Sequence, residues 1–265
     1  MLFSAEIIAR NPSIQKLIDQ GDSYVEWKDG REARALDYIF SHPDIEAMRG
    51  QPSRVLAALD EFSRTEDFLI SVGPQKAGIL RDLIAKEQPR VLVELGGYLG
   101  YSAILFADQL RRCFNNPSLT AREDQTPRVW SIEADPVFAG FIMSLADLAG
   151  LNDIIRVVPG TAEEFLRRLQ RAGELSHVDF LFLDHSEDLY SADLKVCEEI
   201  GILGPGSLIV ADNVVRPGAP DYRKYVRNHP KLDSRGIPCL IVPGDLEVSF
   251  PPDSAVYFKA EKWVG

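Results

Sequence analysis

From residue 91 onward the sequence alternates short apolar runs with stretches of helical spacing, and that rhythm dictates a layered α/β fold. VLVEL (91–95), VWSIE (129–133), IIRVV (154–158), VDFLFLD (178–184) and GSLIVAD (206–212) have strand length and are apolar almost throughout. Such runs suit strands covered on both faces. Helical spacing follows from Tyr101 to Arg112, after Pro136 and from Thr161, and a further helix is predicted over 219–228. CLIVP (239–243) and AVYFKA (255–260) are strand-like, and the polar stretch 115–128 reads as a loop. Strands alternating with helices require a mostly parallel sheet with helices on both faces. In such sheets ligands sit at the C-terminal strand ends, near the point where strand order reverses.

The first 88 residues follow a different pattern, with helical periods over 4–20, 31–42, 53–69 and 74–87. Ser53 after Pro52 is a start signal, and Pro89 ends the last of these helices. The 265 residues suit a single domain, 1–265, with a helical N-terminal cover (1–88) and an α/β core (89–265). A net charge of −11 argues against a nucleic-acid partner, since phosphate neutralisation needs clustered Lys and Arg. No apolar run approaches the ~18 residues of a membrane span, and the N-terminus lacks the apolar centre of a signal peptide. Cys113, Cys197 and Cys239 are scattered without a CxxC pair, which fits a reducing compartment. The expectation is a cytoplasmic protein with a small-molecule partner. The sequence leaves its oligomeric state undetermined.

Three segments carry chemistry. ELGGYLGYS (94–102) is a glycine-rich turn between strand and helix, where backbone can approach a ligand and helix-start N–H groups face an anion. Its spacing is not GxGxxG, which weakens a dinucleotide reading. Glu133, ending the next strand, is placed to accept from both hydroxyls of a ribose. FLDH (182–185) and ADN (211–213) put Asp184 and Asp212 at neighbouring strand ends, with Asn213 adding a neutral oxygen. Two carboxylates and a carboxamide form a hard, all-oxygen set that suits Mg²⁺. Each acid alone has an alternative role as a helix cap.

Together these segments resemble the catechol O-methyltransferase family, from about residue 31 to 262. ELGGYLGYS is similar to its cofactor loop, IEADP to its ribose-binding acid, and ISVGPQKAG (70–78) to the loop over the cofactor's methionine end. LDHSEDLY and ADNVVRPGAPDY are similar to its two metal-ligand segments. The resemblance implies a Rossmann-like class I methyltransferase sheet of seven mostly parallel strands. It implies S-adenosylmethionine as methyl donor, with contacts from Val72, Glu94, Gly96, Tyr98, Tyr101, Ser102, Glu133, Asp184 and His185. It implies Mg²⁺ on Asp184, Asp212 and Asn213, Glu247 as a ligand of the second catechol hydroxyl, and Pro217 beside the ring. From the residues alone, His185 reads as base, metal ligand or packing; the resemblance implies contact with adenine.

Two positions depart from the family. Its catalytic lysine, three residues after the first metal-ligand aspartate, is Glu187 here, and the aromatic before it is Ser186. The expected activity is methyl transfer from S-adenosylmethionine to a catechol hydroxyl with Glu187 as a candidate proton acceptor. The alternatives are a metal-dependent enzyme with another acceptor, and a non-catalytic cofactor-binding homologue.

Overall fold

The computed structural model describes residues 5–114, 126–239 and 256–263. Five strands, β1 (Val91–Leu95), β2 (Arg128–Glu133), β3 (Ile155–Pro159), β4 (Phe180–Leu183) and β5 (Leu208–Ala211), pair in parallel. β6 (Leu232–Cys239) and β7 (Val256–Trp263) complete a seven-stranded sheet in the order β3-β2-β1-β4-β5-β7-β6. β7 runs antiparallel to both β5 and β6. Strand order reverses between β1 and β4, so the glycine turn after β1 and Asp184 after β4 emerge side by side.

Period-2 alternation splits the core into two layers. Leu92, Val129, Phe180, Phe182, Leu208 and Val210 face one side, and Val93, Leu95, Trp130, Ile132, Leu181 and Ile209 face the other. The first layer is covered by α5 (Pro52–Thr65), α6 (Gly73–Glu87), α7 (Tyr101–Phe114) and α8 (Pro136–Leu148). The second is covered by α9 (Ala162–Arg171), α10 (Tyr190–Glu199) and α11 (Pro220–Arg227).

The N-terminal cover is helical, with corrections to its bounds. The helix expected over 4–20 is two helices, α1 (Ala5–Arg10) and α2 (Ile14–Gln20), because Pro12 has no N–H to continue the ladder. α3 (Arg31–Phe40) is followed by a single extra turn, α4 (Ile45–Met48). The 53–69 helix begins at Pro52, a favoured first position, and stops at Thr65. Arg31, 1% exposed, ties the chain before α3 in place. Its guanidinium donates to Asp29, to the Tyr24 hydroxyl at 2.6 Å, to the Phe68 carbonyl at 2.8 Å and to the Val25 carbonyl. Segment 24–29 is thereby held against the mouth of the sheet.

β6 did not stand out in the sequence. LDSRGIPC contains Gly236 and Pro238, and as a sheet edge it can carry both. Of the CLIVP run, only Cys239 falls within the described residues. Among the described residues, no helix is long and apolar enough to cross a membrane.

Candidate functional site

At the C-terminal edge of the parallel strands lies a groove of about 700 Å³. Its wall includes Val72, Gly96, Tyr98, Tyr101, Ser102, Glu133, Asp184, His185, Glu187, Asn213 and Pro217, most of the expected site. The cover adds Glu26, Trp27 and Ile70, and α8 adds Phe138. Glu26 and Trp27 precede the segment that resembles the family, so no motif pointed to them.

The turn after β1 is shaped by the protein before any ligand arrives. A Cβ on Gly96, whose φ is +91°, would lie 2.7 Å from the Asp184 carbonyl carbon and 2.8 Å from the His185 nitrogen. The glycine therefore serves the packing of the β1 turn on the β4 turn. The N–H groups of Gly97 and Tyr98 donate to Glu133 Oε2 at 3.0 and 2.9 Å. Those amides, expected to face a ligand anion, are satisfied internally. Glu133 Oε1 accepts from the Asp135 N–H at 2.8 Å. A carboxylate has about four acceptor positions, so Glu133 can brace the turn with three and still meet a hydroxyl in the groove.

Glu94 is fully buried beneath the wall, where it accepts from the Ser102 hydroxyl. Burial pushes its carboxyl up to about 8, against hydrogen bonds from the Ser102 and Ser131 hydroxyls. A buried carboxyl under a ligand groove suits a cationic donor, which would favour its ionised form. The two tyrosines line the groove with their rings and send their hydroxyls into the cover. Tyr98 donates to Glu32 and Tyr101 to Asp60, each at 3.1 Å. His185 is oriented by Asp193, with Nε2 2.8 Å from its Oδ2, and its ring lies 5.0 Å from that of Tyr190. Its Nδ1 is buried without a protein partner among the described residues.

Asp184 and Asp212 directly follow Leu183 and Ala211, which are in register on β4 and β5. The surrounding protein and the neighbouring Asp212 charge raise the Asp184 carboxyl well above its usual range. Asn213 sits in the left-handed region, φ +56°, a conformation its short polar side chain tolerates. Among the described residues no three His, Cys, Asp or Glu side chains group as a metal site; here a carboxamide joins the acid pair. Lys76 of α6 reaches into this set. Its Nζ lies 2.8 and 2.7 Å from the two Asp212 oxygens and 3.0 Å from Asn213 Oδ1. Burial pulls the Lys76 ammonium down, but the Asp212 and Asp184 charges outweigh it and hold the group above its ordinary value.

Glu187 stands in a single 3₁₀ turn, Glu187–Leu189, at the same end of the groove. Partial burial raises its carboxyl, and the Asp212 and Asp188 charges add to the shift. Pro217 lies in a π turn, Val214–Gly218, that leads from Asn213 into α11. Glu247 falls outside the described residues.

Comparison with known proteins agrees with this geometry. Residues 93–214 match the family model described as a methyltransferase domain. Catechol O-methyltransferase of Bos taurus is 34% identical over 203 residues, 77% of this chain and 68% of that protein. Catechol O-methyltransferase B of Danio rerio is 33% identical over 198 residues, 75% of this chain and 69% of that protein. Two solved structures share the fold with a TM-score of 0.60 and 19% identity. One is a Bacillus cereus O-methyltransferase in complex with SAH (97% of this chain, 99% of that chain). The other is a Streptomyces achromogenes O-methyltransferase of tomaymycin synthesis in complex with SAM (99% and 100%). A sheet of this order, the glycine turn braced by its acid and a third of the aligned residues shared with the bovine enzyme lead to one conclusion: the chain belongs to the catechol O-methyltransferase family of S-adenosylmethionine-dependent O-methyltransferases.

Proposed function

We propose that this methyltransferase acts on one hydroxyl of a catechol-type small molecule, with Mg²⁺ bound by Asp184, Asp212 and Asn213. The observation that carries this reading is the meeting of those side chains, Asp184 and Asn213 in the groove wall and Asp212 buried behind it, where Asp212 and Asn213 already grip the ammonium of Lys76. A cluster that binds a cation through hard oxygens fits Mg²⁺. Bound there, Mg²⁺ would supply Lewis acidity to a vicinal diphenol whose hydroxyls otherwise ionise near pH ~10. Ser102, the glycine turn and Glu133 hold the donor, with the buried Glu94 carboxyl facing its amino group and His185 its adenine. Pro217 flanks the acceptor ring. Glu187, at the same end of the groove, takes the proton that the family's lysine takes elsewhere. Catalysis is then mainly alignment of oxygen with the donor methyl. The free thiols at Cys113, Cys197 and Cys239 support a cytoplasmic setting.

The test is methyl transfer to a catechol panel with Mg²⁺ and in excess chelator, for the wild type and Asp212→Ala. Activity that needs Mg²⁺ and vanishes in Asp212→Ala, with S-adenosylmethionine affinity retained, is the expected result. Full turnover in chelator would sink the metal. A second reading, an acceptor other than a simple catechol, is favoured by the extra carboxyl of Glu187 at the acceptor end. Turnover of a phenol without a vicinal hydroxyl in preference to every catechol would select it.

A further inference from the structure

The cluster assigned to Mg²⁺ holds a cation that belongs to the chain itself. Lys76 Nζ makes contacts of 2.8, 2.7 and 3.0 Å to both Asp212 oxygens and to Asn213 Oδ1. The pair is shut off from water, with Lys76 4% and Asp212 1% exposed. Mg²⁺ bonds oxygen at about 2.0–2.1 Å. A metal that close to the same Asp212 and Asn213 oxygens would stand within contact distance of Nζ, so the two positive charges cannot share these donors. Asp184 and Glu187 lie close enough to Asp212 to feel its charge, so three carboxyls gather where the ammonium bonds only Asp212 and Asn213. A divalent ion carries twice the charge of the ammonium and favours the ionised, ligating form of the further carboxyls, which gives it the means to displace the lysine. The four-carbon stem of Lys76 lets its ammonium relocate while α6 stays in place.

Resting on the metal-assisted reading above, we propose that Lys76 is a tethered counter-ion. It fills the Asp212–Asn213 site in the metal-free protein and leaves when a divalent cation binds. It thereby weakens metal affinity and keeps Asp212 neutralised between metal-binding events. Removing one partner of a buried ion pair is destabilising because the other charge is left uncompensated. A metal-free protein without the lysine should therefore be less stable, and the metal should restore it.

The experiment is a Mn²⁺ titration followed by electron paramagnetic resonance on wild type, Lys76→Gln, Lys76→Arg and Asp212→Asn, with melting temperatures before and after Mn²⁺. Lys76→Gln should bind Mn²⁺ at least about tenfold more tightly than wild type. It should melt lower when metal-free and gain more from Mn²⁺. Lys76→Arg, which keeps the charge, should stay near wild type. If Lys76→Gln has wild-type affinity while Asp212→Asn loses binding, the site is real and the lysine does not compete, which overturns the proposal alone. If Asp212→Asn binds as well as wild type, the metal reading falls and the proposal with it. Should Lys76→Gln fail to fold, amine-directed labelling of the wild type decides. Lys76 should be protected without metal and modified at saturating Mn²⁺, and protection under both conditions would overturn the proposal.

Discussion

Glu133 shows how one side chain serves the ligand and the scaffold together. Its carboxylate accepts from Gly97, Tyr98 and Asp135 while facing the groove. Glu133→Ala strands those amides as well as any ribose hydroxyl. Calorimetry should show S-adenosylmethionine binding weakened by ~1–3 kcal/mol, and urea denaturation a loss of similar size without ligand. Unchanged values in both would remove Glu133 from the donor site. Glu187 can be separated from it by pH. A base must be ionised to act, so kcat on a catechol should fall as pH drops through the Glu187 pKa. Glu187→Gln should lose this acid limb along with roughly 10²-fold of kcat. A variant with wild-type kcat would leave no role for Glu187 as proton acceptor.

Between elements, the cover meets the methyltransferase core through acids that accept from tyrosine hydroxyls. Asp60 on α5 accepts from Tyr101 on α7, and burial raises its carboxyl to about 6 despite that bond. A folded-state pKa above the unfolded one means that ionisation costs stability. The contribution is full below the unfolded value and is lost as pH rises through about 6. Asp60→Asn should therefore stabilise the protein at neutral pH by ~1–3 kcal/mol, with the difference from wild type vanishing near pH 4. Thermal melts across that range measure it. The sheet was legible because each central strand is an apolar run bounded by turn residues, whereas β6 carried no such run. The acid–amide set was legible for the same local reason, since Asp184 and Asp212 each end a strand. Lys76 was not: it lies 136 positions from Asp212, and only the packing of α6 brings them together. Gly96 was recognised as a glycine turn, but its neighbour is the Asp184 backbone, a contact no spacing encodes.

For the whole molecule, groove and cover form one binding body. Because Glu26 and Trp27 complete the wall, ligand occupancy should stabilise the entire chain and quiet the segment before α3. S-adenosylmethionine at about 100 times its Kd should add ~2.7 kcal/mol. Trypsin cleavage at Lys28, which pairs with Asp135 beside Glu133, should slow in parallel. Cleavage at the same rate with and without the donor would detach that segment from the site. The sheet order carries a consequence for synthesis. β7, the latest strand in chain order, lies between β5 and β6. While the chain leaves the ribosome, the parallel strands and their helices are all present before β6 has anything to pair with. The nascent protein thus carries a donor groove beside an open sheet edge, and both its closure and its resistance to edge-to-edge association wait for the final strand to slot in.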